Sequence, residues 1–250
     1  MQLALECSTK MLGQIQPFAD FDFLLTHLVL QDEAYAEFYK SSDKRRFLDN
    51  SVNELGTPET LENIKKAYEK VRNQQETFIV SPDFIGDYKK TVEMYVDCIK
   101  TFQDLPVGLV AVLQGETYEE VFTCLKYYLR IHNGKPLLLS VPYDICSKKS
   151  DPPELMALRR SLVVSNIPSS VQIHLLGFSD IKEFWWYKGK SNILSLDTGI
   201  PVLLGLQGKG VEEPLEAKSK STLELMEGLP LTKENYGTVC RNIALFRTYI

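Results

Sequence analysis

The chain reads as an α/β protein of the (β/α)8 barrel class, a single domain over residues 1–250 with its barrel core from about 22 to 205. Three observations predict this. Short apolar runs of strand length alternate with segments of helical period, and eight such runs can be counted over about 180 residues. No linker, internal repeat or low-complexity tract divides them. Several runs also end on a polar residue, the pattern expected where strand ends meet at one mouth of a barrel.

Taken in order, residues 1–16 alternate loosely (Leu3, Leu5, Met11, Ile15) and read as a hairpin or a short N-terminal extension capping the barrel bottom. Residues 21–28 form the first strand and 31–40 a helix; 46–49 form the second strand, ending on Asp49-Asn50-Ser51. Thr57-Pro58-Glu59 offers a cap and a first-turn proline for a helix to about Arg72. Residues 77–80 are the third strand, followed by Ser81-Pro82-Asp83 and a helix over 88–101 with Val92, Tyr95, Val96 and Ile99 on one face.

Residues 106–113 are apolar throughout, as in a strand covered on both faces; Gln114-Gly115 ends it and Thr117 caps a helix to about Ile131. The fifth strand, 136–141, closes on Pro142-Tyr143-Asp144, and a polar loop leads to a helix through Leu155, Leu158 and Leu162. The sixth, 171–177, precedes a short helix opened by Asp180 and holding Trp185 and Trp186, one of which is expected to pack on the barrel. Strands seven and eight flank Asp197, the eighth following a Gly/Pro turn and running through Leu204. A Gly/Lys/Glu-rich loop (205–221) and a helix from about Lys233 to Tyr249 complete the chain.

Composition narrows the function. A net charge of −5 gives no general electrostatic grip on nucleic acid. Lys182, Lys188, Lys190, Lys209, Lys218 and Lys220 could meet phosphates at the mouth, but Glu183, Glu212, Glu213 and Glu216 intersperse them as in a solvated rim. Five cysteines lie scattered with no C-x-x-C pair, which fits free thiols in a reducing compartment. No apolar run reaches the roughly 18 residues of a membrane span, so the expectation is a soluble, cytoplasmic protein. His27, His132 and His174 share no metal-like spacing, and His174 reads as a satisfied barrel histidine. No metal or cofactor is expected.

Each strand-end carboxylate alone is compatible with a turn residue. Together, Asp49, Asp83 and Asp197 with Gln114 form a set that packing does not require, because a carboxylate at a buried strand end is costly unless paired or in use.

The ordered set Leu48-Asp49, Ser81-Pro82-Asp83, Val112-Leu113-Gln114-Gly115, His174-Leu175-Leu176-Gly177 and Leu196-Asp197 resembles the tRNA-guanine transglycosylase superfamily, especially its compact phage and bacterial members that install 7-deazaguanines in DNA. The resemblance implies that Asp197 attacks C1′ of a guanine nucleoside and expels the base. An incoming 7-deazaguanine then takes up the glycosyl group after Asp49 removes its ring proton. Asp83 would read the N1/2-amino edge, Gln114 and the Gly115 amide the six-position oxygen. The backbone at Ser140-Val141 would receive the seven-substituent, and Leu176, with Gly177, would pack beneath the base.

The residue types suit that chemistry. An apposed carboxylate stabilises and can trap an oxocarbenium-like centre, and a second carboxylate moves the proton. A third that accepts two N–H bonds rejects adenine, whose edge would leave buried groups unpaired.

Two departures stand out. The family's glycine pair after the first aspartate is Asn50-Ser51 here, and the aromatic residue expected four positions after that aspartate is Asn53, so the stacking wall must come from elsewhere. The Cys/His zinc cluster of the tRNA enzymes is missing, with only Cys240 beyond Asp197, which favours DNA over tRNA as the partner. A homo-oligomer or a partner protein would be needed if the chain lacks its own basic surface. Two other readings stay open: an N-glycosidase or nucleoside hydrolase on the same scaffold, and a non-catalytic purine- or nucleotide-binding barrel.

Overall fold

The computed structural model describes residues 1–148, 150–178, 180–213 and 221–250. Lys218, Lys220 and Glu216 of the loop singled out above lie outside the described residues. Eight parallel strands form a nearly closed barrel with helices around it, a single-domain (β/α)8 architecture. The strands are β1 (Gln2–Leu5), β2 (Asp22–Leu25), β3 (Arg46–Asp49), β4 (Thr77–Val80), β5 (Val107–Val112), β6 (Leu138–Pro142), β7 (Gln172–Leu176) and β8 (Ile193–Thr198). Each pairs with its sequence neighbour from β2 to β8, and β8 returns to β1.

The count of eight therefore stands, with one member exchanged. Residues 2–5, expected to cap the bottom, are the first strand, in register with β8 (Ala4 opposite Asp197, Leu5 opposite Thr198). The run after Asp197 is a helix, Ile200–Leu206, with Pro201 in its first turn and all seven residues buried. A helix apolar on every side shows no period, so its run resembles a buried strand.

Between β1 and β2 the gap is spanned by Asp20, whose amide donates to the Leu3 carbonyl (2.7 Å) and whose carboxylate accepts from the Leu3 amide (2.8 Å). Arg247, at the end of the C-terminal helix Lys233–Arg247, bonds that carboxylate at 2.9 and 3.2 Å. Burial opposes ionisation of Asp20, yet Arg247 and the Leu3 amide outweigh it and hold the group below the usual range.

Alternation sorts each strand's side chains. Ala4, Phe23, Leu25, Phe47, Val80, Val110 and Val112 fill the barrel interior, while Leu3, Leu24, Leu48, Ile79, Leu139, Ile173 and Leu196 face the helices. One irregularity matters for the site. The β7–β8 register slips by one residue, from Ile173 opposite Ile193 to His174 opposite Ser195. A one-residue slip exchanges the faces of everything beyond it. It brings Ser195 and Asp197 onto the inner face shared by His174 and Leu176.

The helices differ from expectation in detail. Thr60, not Thr57, caps Leu61–Val71, and Thr117 with Glu120 forms a capping box on Tyr118–His132. The helix Pro153–Ser165 buries Met156, Ala157, Arg160 and Val164, leaving Leu158 and Leu162 exposed; it is turned to bring Arg160 inward. Trp185 and Trp186 both face solvent, while Phe184 and Tyr187 on either side of them pack inward.

Candidate active site

The strand C-termini surround a cavity that opens to solvent. Asp49, Asp83, Gln114, Leu176, Gly177 and Asp197 all line it, as the strand-end pattern predicted. Ser140, Val141 and Gly115 do not. Strand β6 runs to Pro142, so Pro142, Tyr143 and Asp144 form that part of the wall; Ser140 is buried below and Val141 faces the helix layer. Gly115 is a packing position, where a Cβ would come within 2.8 Å of the Val121 amide nitrogen.

Asp197 is held from behind. His174 Nε2 lies 2.9 Å from Oδ1, and the Gly177 amide donates to Oδ1 at 3.0 Å and Oδ2 at 3.2 Å. His174 Nδ1 lies 3.0 Å from the Ser195 hydroxyl. The tautomer with the proton on Nε2 satisfies both contacts: Nε2–H donates to Asp197 and Nδ1 accepts from Ser195. The imidazole is fully buried and packs against Phe21, Phe23 and Phe47, which fixes its ring plane. The histidine expected to be a bland barrel residue thus touches the candidate nucleophile.

Gly177 is in turn anchored. Its φ is +67°, and a Cβ would strike the Tyr143 ring at 2.8 Å, so glycine is needed there. Arg160 donates to the carbonyls of Gly177 (2.9 Å) and Leu176 (3.2 Å), and its guanidinium forms a two-bond pair with Glu183, both at 2.6 Å. Both charges of that pair are fully buried, and the Tyr187 hydroxyl completes Glu183. Burial disfavours the Arg160 charge, but the Glu183 carboxylate more than compensates, raising its pKa.

On the opposite side, Asp83 is held by two amides. Asn50 Nδ2 donates to Oδ1 at 2.8 Å and Gln114 Nε2 to Oδ2 at 2.6 Å. Gln114 Oε1 accepts from the Gly86 amide at 3.0 Å, which fixes the Gln114 orientation. Burial pushes the Asp83 carboxyl up to about 6 against these hydrogen bonds. Asn50 thereby explains one departure: in place of a glycine, it ties Asp83 to the turn after β3. Ser51 adopts the left-handed backbone (φ +64°) that a glycine would favour, and its amide donates to Asp49 Oδ2 at 2.7 Å. Asn53 lines the cavity where an aromatic was expected; Phe23 and Tyr143 are the aromatic residues in the wall.

Three lining carboxyl groups escaped the sequence reading: Glu6, Glu54 and Asp144. With Asp49, Asp83 and Asp197, every ionisable group among the residues lining the cavity is acidic apart from the Tyr143 phenol. Burial first, then the charges of Glu54, Asp83 and Asp197, push Asp49 well above the carboxylate range. Burial and the Asp197 charge do the same to Glu6, and burial raises Glu54. Burial and neighbouring charge thus favour the protonated forms of Asp49, Glu6 and Glu54, and the acidic lining favours positive charge developing within it. Lys188 and Lys190 line a second cavity with Met1 and Ile193, at the start of β1 and β8 and so at the opposite end of the barrel. Among the described residues no helix is long and apolar enough to cross a membrane.

Comparison with known proteins returns no matching family model and no matching curated protein.

Proposed function

We propose that the chain is a pentosyltransferase that exchanges purine bases through a covalent glycosyl-aspartate, replacing guanine by a 7-deazaguanine derivative in nucleic acid, with DNA favoured over tRNA. The observation that carries this reading is the setting of Asp197. Donors engage it from the barrel interior while it lines a cavity shared with a second carboxylate, Asp49, and with the Asp83–Gln114 pair. A carboxylate needed only to bind a purine would not call for an oriented imidazole behind it.

In this account Asp197 attacks C1′ as the C1′–N9 bond breaks, and the bond's electron pair leaves with the base. Asp49, raised by burial and neighbouring charge, carries the proton that the departing base takes up. It recovers one from the incoming 7-deazaguanine when C1′–N9 re-forms and the ester opens. Ionised Asp83 accepts from the N1 and 2-amino groups, and Gln114 retains one amide hydrogen for the six-position oxygen. Tyr143 or Phe23 supplies the stacking face. Phosphate contacts fall to the rim, where Lys89 and Lys90 open the helix after exposed Ile85. The target base must leave its stack, at a cost of a few kcal/mol.

The test is incubation with guanine-containing DNA and labelled guanine. Label entering the polymer supports exchange. Release of guanine without incorporation favours a water-using N-glycosidase, and saturable purine binding with neither reaction favours a non-catalytic barrel.

A further inference from the structure

Glu6 stands next to Asp197 by construction of the barrel. Ala4 of β1 pairs with Asp197, and Glu6, two residues on, shares the inward face of Ala4. Its amide donates to the Thr198 carbonyl at 3.1 Å, extending the β1–β8 contact past the strand end. The half-buried Glu6 side chain lines the same cavity as Asp197, from the neighbouring strand end.

Two ionised carboxylates facing one cavity from adjacent strand ends repel and have no proton with which to bond; one shared proton turns the pair into a donor and an acceptor. Asp197 already accepts from His174 and Gly177, so it is the acceptor, and Glu6 brings the proton. Burial and the neighbouring Asp197 charge favour the protonated form of Glu6, which agrees with this assignment.

We infer that Glu6 is a positioning residue that donates a hydrogen bond to the Asp197 carboxylate and thereby sets how readily the glycosyl-aspartate ester reopens. The inference rests on the proposed nucleophilic role of Asp197. A hydrogen bond to a carboxylate is stronger than one to an ester oxygen, because the charged acceptor is the better one. The donor therefore stabilises Asp197 when free more than when bonded to C1′. In the first half-reaction C1′–N9 breaks and C1′–Oδ forms, and the bond from Glu6 weakens. In the second, C1′–Oδ breaks, its electron pair returns to Asp197, and the bond strengthens. The Glu6 proton stays on Glu6 throughout, so no further reactant is required. Base exchange must run in both directions, and too stable an ester would stall it.

The test compares the wild type with Glu6→Met, which keeps length without a donor, and Glu6→Gln, whose amide still donates. Each is mixed with a guanine-containing DNA oligonucleotide and free guanine, quenched by denaturant at steady state, and the covalent fraction is read by gel and mass. The expected result is an adduct-to-free ratio about tenfold higher in Glu6→Met, the worth of one such hydrogen bond, with the wild-type ratio kept by Glu6→Gln. If wild type forms an adduct and Glu6→Met leaves the ratio unchanged, or Glu6→Gln raises it equally, the role of Glu6 is overturned while that of Asp197 stands. If wild type neither forms an adduct nor exchanges label, both fall.

Discussion

Inside a barrel otherwise packed with Phe21, Phe23 and Phe47, the His174 imidazole lies with Nε2 2.9 Å from Oδ1 of Asp197. A buried imidazole in that position orients a carboxylate and stabilises its charge. His174→Phe should keep the aromatic packing and remove the donor. Transfer should slow by roughly tenfold to a hundredfold, matching an unmade bond of about 1–3 kcal/mol to a buried group. Far-ultraviolet circular dichroism should stay native, and kinetics of labelled-guanine exchange check the loss.

Gly177→Ala places a side chain at φ +67°, against the Tyr143 ring. The left-handed backbone alone costs about 1–2 kcal/mol, and the clash moves the amide that holds Asp197. Gly189→Ala is the control: its φ is +82° but a Cβ there meets nothing within 4 Å. Urea unfolding should show strain in both, while exchange activity should fall only for Gly177→Ala.

The strand ends were legible because an apolar run stopped by a polar residue marks a barrel strand whatever its exact bounds. That rule located Asp49, Asp83, Gln114 and Asp197. Applied to Leu3-Ala4-Leu5 it would also have found Glu6, but Leu3 and Leu5 merge with Met11 and Ile15 into one loose alternation that hides where β1 ends. The helix after Asp197 was masked for a different reason: every face is buried, so only Pro201 in its first turn marked it. Ser140 and Val141 were misplaced because β6 accepts a proline as its final residue, shifting the wall to Pro142–Asp144. The contact of His174 with Asp197 depends on the β7–β8 register slip, which alternation along either strand alone does not reveal.

The buried ion pair gives a stability prediction. Arg160→Met leaves Glu183 buried without its cation and should cost about 3–5 kcal/mol in urea unfolding, whereas adding Glu183→Leu should restore much of it. Exchange should remain impaired in the double variant, because the Leu176 and Gly177 carbonyls still lack the guanidinium.

Acidity should reshape stability with a definite sign. Burial raises Asp83 and Asp22 each to about 6, above an unfolded value of about 3.9. Between those values the folded state binds more protons, so stability is full below about pH 4 and is lost as pH rises through 6. Asp49 and Glu6, raised well above the ordinary range, extend the decline upward. The melting temperature should fall from pH 4 to 7, less steeply in Asp83→Asn. Guanine affinity should move the other way, rising through about pH 6 as Asp83 ionises and can accept from the base.

The nucleophile assignment is tested most directly by locating the covalent bond. Wild-type protein, mixed with a guanine-containing DNA oligonucleotide, denatured during turnover and digested with nuclease and protease, should yield a glycosylated peptide whose mass increment maps to Asp197. Asp197→Asn should give neither that peptide nor label exchange, with its melting temperature near the wild-type value. A glycosyl group mapped to another carboxylate, or wild-type exchange by Asp197→Asn, would contradict the account.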